Sequence, residues 1–352
     1  MAINRSTHEE EPVCTAWQRL VQAALIFFLA ITLLVLAHYF LTPDSKALQQ
    51  QIHTLSTQVD QLRQEQAMPS LVLNRYRNSI CYIFGIYQVG FKSGKPIQRT
   101  RISGTGFVVA EGLIATNRHV AEPWYGDPDT DALIAKGATP RLEKMVAYFP
   151  GSPAPVNLTP AALSSDGDLA VMRMVDASAI SPRPLPLSLE KPNAGELVAV
   201  VGYPMGVLGM MAKAPTPVYA RLAYRRDDQG AASELAALSL IRPSATCGHL
   251  GDVVGDKLIY DAPTAHGGSG GPVFNSQGEV IGVNAAYIDG FSGGTLGVSV
   301  RALKPLIVAA RIAAAKMANA ASTEVTETPQ DPRSLVDGIA NDVTTPSEPD
   351  EK

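Results

Sequence analysis

The sequence predicts an all-β globular region that follows two helical segments. From about Leu71 onward, short apolar runs alternate with turn residues, as they do in sandwiches and barrels. Glycine and proline number 29 and 26 in 352 residues, which favours turn-rich β structure over a helix bundle. Ahead of this region lie one long apolar segment and one segment with heptad spacing.

Composition excludes several classes of function. The net charge is −4 and Lys and Arg form no dense run, so nucleic acid is not an expected partner. Three cysteines are too few for a disulfide scaffold, and Cys81 and Cys247 are left either as a disulfide or as two free thiols. No zinc-ligand spacing occurs, so we expect neither a metal nor a cofactor.

Residues 20–41 form the apolar segment, which is long enough to cross a bilayer, since about 20 residues suffice. A cleaved signal peptide is the alternative, but its apolar region is usually shorter and no small-x-small cleavage site follows here. Arg5 and Arg19 precede the segment, and no Lys or Arg follows it until Lys46. This asymmetry predicts a single-pass anchor with residues 1–19 in the cytoplasm and the bulk of the chain outside.

Residues 45–68 are predicted to form a helical stalk that Pro69 ends. Apolar residues recur there at spacings of four and three: Leu48, Ile52, Leu55, Val59 and Leu62. Leu at d with Ile or Val at a favours a two-stranded coil, while the short run is equally typical of a plain amphipathic helix. A homo-oligomer is therefore one of two readings of this segment.

A glycine-rich segment, Gly267–Pro272, contains the candidate nucleophile Ser269. Bare backbone beside a serine lets a peptide carbonyl approach closely and leaves N–H groups free for a developing oxyanion. A serine hydroxyl is a poor nucleophile near neutral pH, so it needs a base and a group that orients the base.

His119 has the position expected of the base, because it follows a predicted hairpin that ends at Thr116, at the edge of a rigid sheet. His266 lies so close to Ser269 in the chain that we expect it to line the substrate cleft. His249 has no motif around it and is expected on the surface or in a loop.

Asp168 stands directly before the apolar run Leu169–Met172 and is the candidate that orients the base. Asp166 is the competitor, expected in the turn itself. An imidazole that donates one N–H to Asp168 keeps its other nitrogen as an acceptor for the hydroxyl of Ser269. Each segment alone is common, and the order His, Asp, Ser is what favours a catalytic interpretation.

The chain from about residue 71 to residue 310 resembles the trypsin-fold serine endopeptidases, specifically the HtrA/Deg branch. Five segments in order carry the resemblance: Ser103–Val109, Thr116–Val120, Asp168–Val171, Val201–Gly206 and Gly268–Pro272. The resemblance implies a double β-barrel of six strands each, at about 71–182 and 183–310, with the site in the crevice between them.

The resemblance also implies roles for individual residues. His119 would be the base, Asp168 its orienter and Ser269 the nucleophile. The N–H groups of Gly267 and Ser269, with Gly268 between them, would form the oxyanion hole. Gly268 departs from the family, which usually has Asn there. A further set is implied to form the wall along which substrate pairs as an added strand: Asn284, Ala285 and Ala286.

Location and partners follow as expectations. The resemblance places the enzyme at the inner membrane of a bacterial envelope, with the protease domain in the periplasm and exposed or unfolded envelope proteins as substrates. It implies trimers, and it implies a PDZ module that we do not expect after residue 320. By the same resemblance, residues near Pro263 and Thr264 should form the base of the primary specificity pocket. No acid lies there, although Asp261 is close, so we expect cleavage after a small or medium apolar residue and not after Lys or Arg.

Residues 301–320 are predicted to form a closing helix, and residues 311–352 to hold the helix end and a disordered acidic tail. Two functions other than proteolysis are kept as alternatives. One is a protease-fold peptide-binding module or chaperone with an unassembled site, and the other is a membrane-anchored scaffold whose stalk and tail recruit partners.

Overall fold

The computed structural model describes residues 13–41, 45–92, 94, 97–175, 182–225, 227–287 and 294–326. The predicted tail from residue 327 onward and the first twelve residues of the predicted cytoplasmic segment lie outside this range. Two compact units make up the chain, residues 1–66 and residues 67–352.

The first unit contains helix α1 (Val13–Leu41) and the beginning of helix α2 (Ser45–Tyr76). Within α1, Trp17–Phe40 has a mean hydropathy of 2.7 and exposed side chains throughout, so it is long and apolar enough to cross a membrane. The heptad residues of α2 named above are all exposed in the single chain.

Helix α2 continues through Pro69, so the expectation that this proline ends the stalk is wrong. Met68 and Val72, each 3% exposed, lie in the core of the second unit, and the ring of Tyr76 stacks on Phe274 with centroids 5.4 Å apart. Burial on one helix face therefore compensates for the backbone hydrogen bond that proline cannot donate.

The first barrel is a closed antiparallel sheet in the order β1-β2-β3-β6-β5-β4. Its strands are β1 (Ile80–Gly90), β2 (Gln98–Ala110), β3 (Leu113–Thr116), β4 (Thr139–Tyr148), β5 (Val156–Leu163) and β6 (Ala170–Val175). A 3-10 turn at Arg77–Ser79 leads into it, and helix α3 (Arg118–Ala121) and helix α4 (Pro128–Ala135) lie between β3 and β4.

The second barrel closes in the order β10-β11-β12-β9-β8-β7, so the predicted double six-stranded barrel is confirmed. Its strands are β7 (Leu197–Gly202), β8 (Ser244–Val254), β9 (Lys257–Tyr260), β10 (Pro272–Phe274), β11 (Val280–Tyr287) and β12 (Thr295–Ser299).

Three helices interrupt the second barrel between β7 and β8: α5 (Gly206–Met211), α6 (Thr216–Ala223) and α7 (Asp228–Ala237). Sequence analysis predicted strands without helices between them, and this insert corrects it. The insert contacts the first barrel through the Tyr148 hydroxyl and Ser233 Oγ, 3.0 Å apart, and through an Arg101–Asp228 ion pair of 2.9 Å.

One large apolar cluster joins the two barrels. It contains β1 side chains such as Tyr82, side chains from the second barrel such as Val201 and Phe274, and Leu303 of helix α8 (Val300–Thr326). Burial of this shared cluster is the main force that holds the barrels together.

Thr105 on β2 adds directional bonds to this junction. Its side chain is fully buried, its hydroxyl donates to the carbonyl of Gly267 at 2.7 Å, and it accepts the N–H of Tyr203 at 3.0 Å. Its own N–H donates to the carbonyl of Ser269 at 2.8 Å. A residue of the first barrel therefore fixes the segment of the second barrel that contains the candidate nucleophile.

We expect Thr105→Val to lower the free energy of unfolding by about 1–3 kcal/mol, because the buried Tyr203 N–H and Gly267 carbonyl each lose a partner. Chemical denaturation followed by circular dichroism measures this. Thr159→Val is the matched control, since the buried hydroxyl of Thr159 has no hydrogen-bond partner among the described residues. Equal stability losses in both variants would contradict the role of Thr105.

Candidate active site

His119 and Asp168 meet because of strand pairing. Strands β3 and β6 are antiparallel with Thr116 opposite Ala170, so the end of β3 lies beside the beginning of β6. His119 lies just past that end, in α3, and Asp168 just before that beginning. The two residues are therefore neighbours although 49 positions separate them in the chain.

The carboxylate of Asp168 accepts two hydrogen bonds from His119. Its Oδ2 lies 2.7 Å from Nδ1 of the ring, and its Oδ1 accepts the backbone N–H at 2.9 Å. Burial opposes ionisation of Asp168, but the hydrogen bonds and charge of His119 outweigh it and hold the pKa of Asp168 below its ordinary value. An Nδ1–H bound to Asp168 leaves Nε2 as the acceptor nitrogen.

Neighbouring residues hold this pair rigidly. The buried Asn117 side chain donates to the carbonyl of Asp168 at 2.8 Å. Arg118 donates to the carbonyl of Ser164 at 2.6 Å and pairs with Glu122 at 2.9 Å. The two residues before His119 are thus tied to the segment that contains Asp168, which helps to fix the position of the ring.

The carbonyls around Ser269 are all bonded within the protein. Those of Gly267 and Ser269 accept from Thr105, as described above. The carbonyl of Gly268 accepts a hydrogen bond from the side-chain amide of Asn284 at 2.9 Å, and the carbonyl of His266 accepts one from the N–H of Met205 at 2.6 Å. Four consecutive carbonyls are therefore fixed, and their N–H groups have fixed directions as well, since each peptide unit is planar.

Two N–H groups in this loop, those of Gly267 and Ser269, have no acceptor among the described residues. Gly268 N–H, in contrast, donates to the carbonyl of Ala265 at 2.9 Å. Because a trans peptide directs its C=O and N–H oppositely, the bond from Met205 to the His266 carbonyl turns the Gly267 N–H away from Met205. Gly267 has φ = 89°, a conformation that favours glycine.

The loop lies against the strand ends that position His119. Gly270 has φ = 88°, and a side chain there would overlap the Thr105 carbonyl and the Thr116 hydroxyl. The hydroxyl of Thr116 in turn donates to that same carbonyl at 2.7 Å. Ser269 is therefore held next to the end of β3, just before His119.

The hydroxyl of Ser269 donates to the carbonyl of Ala285 at 2.9 Å. Strand β11 has a bulge at this residue: Asn284 pairs with Gly297 and Ala286 with Leu296, which leaves Ala285 without a partner. In this state the single proton of the hydroxyl is directed at Ala285 rather than at His119.

Asn284 has a different position from the one the resemblance implied. Its side chain is 1% exposed and bonds Tyr260, Thr264 and Gly268. Its own N–H and carbonyl are taken by Gly271 and Gly270. Asn284 therefore supports the loop that contains the candidate nucleophile Ser269, and its backbone groups are bonded within the protein.

The other predicted residues lie on the accessible side. Ala285 is half-buried, while Ala286, His266, His249 and Asp166 are exposed. The side chain of Asp261 accepts the backbone N–H of His249 at 2.5 Å on β8. Cys81, which is buried, and Cys247, which is exposed, are free thiols, so no disulfide joins them.

Sequence reasoning did not predict that Met205 and Thr105 hold the loop around Ser269 through hydrogen bonds. Met205 has φ = 64° and ψ = 5°, a left-handed conformation that is rare for residues other than glycine. Strained backbone of this kind concentrates at functional sites, but a methionine in the sequence does not predict a left-handed conformation. The available signal was Gly206 directly after it, in the motif Val201–Gly206.

Comparisons with known proteins identify the family of the chain. The family model for a trypsin-like peptidase domain matches residues 104–283. A probable periplasmic DegP-like serine endoprotease of Rhizobium meliloti is 28% identical over 202 residues, 57% of this chain and 31% of that protein. The serine protease PepD of Mycobacterium tuberculosis is 28% identical over 186 residues, 52% of this chain and 33% of that protein.

The chain spans about a third of the length of these curated relatives. Among solved structures, the active form of the Rv3671c protease of M. tuberculosis is 16% identical with a TM-score of 0.44, covering 69% of this chain and 85% of that one. The serine endoprotease of Yersinia pestis is 17% identical with a TM-score of 0.43, covering 68% and 65%. The family match spans more than half of the sequence, and the chain belongs to the trypsin-like peptidase domain family, with HtrA-type serine proteases among its relatives.

Proposed function

We propose that this chain is a serine endopeptidase that uses Ser269, His119 and Asp168 as its catalytic triad. The observation that carries the proposal is the bidentate Asp168–His119 contact beside a loop whose Gly267 and Ser269 N–H groups are unbonded within the described residues. Base, orienting carboxylate and oxyanion donors are the parts that acyl transfer from a peptide requires.

In the proposed reaction, Nε2 of His119 takes the proton of Ser269 as Oγ attacks the scissile carbonyl. The imidazolium that forms is stabilised by Asp168, and the oxyanion is bound by the N–H groups of Gly267 and Ser269. His119 then gives its proton to the leaving amine, and water hydrolyses the acyl-enzyme by the same steps in reverse order.

Substrate binding would also free the nucleophile. A peptide that pairs beside the bulge as an added strand would donate an N–H to the Ala285 carbonyl, which the Ser269 hydroxyl occupies at rest. The displaced hydroxyl would rotate about χ1 toward His119. Ala285, and not Asn284, is therefore the backbone acceptor that we propose for substrate.

A second candidate, a protease-fold peptide-binding module or chaperone, is favoured by one observation. The hydroxyl of Ser269 is bonded to Ala285 and not to His119, which is what an unassembled site would show. The two candidates differ in whether Ser269 reacts.

We expect a fluorophosphonate probe to label the full-length protein, because the probe needs an activated serine and an oxyanion hole. Labelling should be lost in Ser269→Ala and fall by at least a hundredfold in His119→Ala. His249→Ala is the matched control, since that histidine is exposed and should leave labelling unchanged. Undiminished labelling of Ser269→Ala would contradict Ser269 as the reactive residue, and no labelling of the natural protein at any probe concentration would favour the peptide-binding alternative.

We expect Asp168→Asn to slow acylation by about 10⁴-fold near neutral pH. The amide would donate to Nδ1, so the ring would carry its proton on Nε2 and could not accept one from Ser269. The rate of probe labelling measures this. Asp166→Asn, an exposed neighbour, should be unaffected, and a comparable loss in both variants would remove Asp168 from the triad.

Asp168 also makes stability depend on pH. Because its pKa is lower in the folded protein than the ordinary 3.8, its contribution to stability is present above about pH 3.8 and is lost as pH falls through the lower folded value. The difference in unfolding free energy between the natural protein and Asp168→Asn should therefore shrink as the pH falls below about 4. A difference that grows as the pH falls from about 4 to about 2 would contradict the assignment.

We also propose that Trp17–Phe40 is an uncleaved anchor in the inner membrane, with the N-terminus in the cytoplasm and the protease domain in the periplasm. The apolar helix and the periplasmic DegP-like relative support this. Exposed or unfolded segments of envelope proteins are the proposed substrates. The exposed heptad residues of α2 support self-association, with two strands favoured by their chemistry and trimers by the family.

Cys247 reports the topology, because it is the exposed one of the two free cysteines that the structure describes in the globular unit. A membrane-impermeant maleimide should label it in intact bacterial spheroplasts that express the full chain. Cys247→Ser should abolish that labelling, while labelling that appears only after permeabilisation would place the protease domain in the cytoplasm.

A further inference from the structure

A pocket of about 700 Å³ lies away from the triad, at the end of helix α2. Three separate stretches of the second unit line it: residues 73–78, the turn at Pro150–Gly151, and a wall made by Lys213 and residues 239–243. The end of helix α2, a turn of the first barrel and the helical insert of the second barrel meet here, so the cavity is part of the folded domain.

Three cations converge on this pocket, Arg77, Lys213 and Arg242. Within the described part of the chain, none of the three has a carboxylate at ion-pair distance, whereas Arg221 and Arg225 of the same helical insert both pair with Glu234. The lining contains no Asp or Glu. The pocket therefore holds positive charge that the protein does not neutralise.

Lys213 is held in place by neutral groups. Its Nζ donates to the carbonyl of Arg242 at 2.7 Å and to Ser244 Oγ at 2.9 Å, which leaves one N–H for another acceptor. Partial burial, and then the charge of Arg242, lower the pKa of Lys213. An anion beside these two groups would relieve that repulsion.

The remaining lining supplies further donors and an apolar wall. Asn74, Asn78 and Ser239 carry side-chain N–H or O–H groups, and Leu73 and Ile241 are apolar. Ser239 has φ = 56° because it is the left-handed residue that ends helix α7: its N–H donates to the carbonyl of Ala236 at 2.9 Å, and the N–H of Leu240 donates to the carbonyl of Leu235 at 2.7 Å. The lining is therefore rich in hydrogen-bond donors and free of acidic side chains.

We propose that this pocket binds a phosphate group through Arg77, Lys213 and Arg242. Phosphate carries −1.5 to −2 charges near neutral pH and has three strong acceptor oxygens, so it matches three cations better than a carboxylate does. A free phosphate or soluble phosphomonoester and the monoester headgroup of a lipid such as phosphatidic acid both offer this chemistry. The proposal does not depend on the proposed protease function, because none of these residues belongs to the triad.

Titration calorimetry on the full chain in a neutral detergent tests the proposal. One arm uses inorganic phosphate, and the other uses dihexanoyl phosphatidic acid below its critical micelle concentration. We expect saturable binding in at least one arm, and at least a tenfold weaker Kd in the Arg77→Gln/Arg242→Gln double variant. Both arginines are exposed, so this variant should fold, which circular dichroism checks.

Lys136→Gln/Lys257→Gln is the matched control, because it removes the same charge from exposed sites outside the pocket and should leave Kd unchanged. Binding of the lipid at least ten times tighter than phosphate, and weakened by the pocket variant, identifies a headgroup site. Similar affinities in the two arms identify a site for soluble phosphate. Absence of saturable binding in both arms, or equal weakening in the pocket and control variants, would overturn the proposal.

Discussion

The hydrogen bonds of Thr105 join the two halves of the candidate site. Each barrel is closed, so neither has a free strand edge with which to pair with the other. Apolar burial holds the barrels together but does not set a register between them. Thr105 sets it, because it bonds Gly267, Ser269 and Tyr203 of the second barrel from a strand of the first. Catalytic groups need to be placed to within about 0.5 Å, and this junction is the physical means by which His119 and Ser269 can meet that requirement.

The glycine-rich segment Gly267–Pro272 is fixed by its carbonyls, and this determines the directions of its N–H groups. Once the carbonyls from His266 to Ser269 accept bonds from Met205, Thr105 and Asn284, planarity of the peptide directs the Gly267 and Ser269 N–H groups to the opposite side. Donors that are already oriented need not reorganise when negative charge develops, which is the basis of oxyanion stabilisation. The strained backbone of Met205 belongs to the same arrangement, because its N–H supplies the bond to His266.

Local patterns in the sequence predicted an all-β region and singled out His119 and Asp168, while the family resemblance implied the double barrel and the roles of these residues. Apolar runs predict strands, and a histidine after one strand and an aspartate before its antiparallel neighbour are brought together by the pairing of Thr116 with Ala170. Sequence reasoning missed features that depend on tertiary context. Burial of Met68 and Val72 carries a helix through Pro69, and the buried side chain of Asn284 faces the loop instead of the substrate wall. Thr105 and Met205 act through backbone bonds, which residue type alone does not reveal.

The resting bond from Ser269 to Ala285 has a small energetic weight. A net intramolecular hydrogen bond contributes about 0.5–1.5 kcal/mol, and rotation of the hydroxyl toward His119 would replace it by another of similar strength. Even the upper figure corresponds to roughly a tenfold reduction in the reactive population, far less than the 10⁶-fold or greater accelerations of enzymes. The hydroxyl's orientation at rest therefore weighs little against the positions of Asp168, His119 and the N–H groups of Gly267 and Ser269, the proposed oxyanion donors. These depend on several bonded groups and would be much more costly to rearrange, so the geometry favours a competent site over an unassembled one.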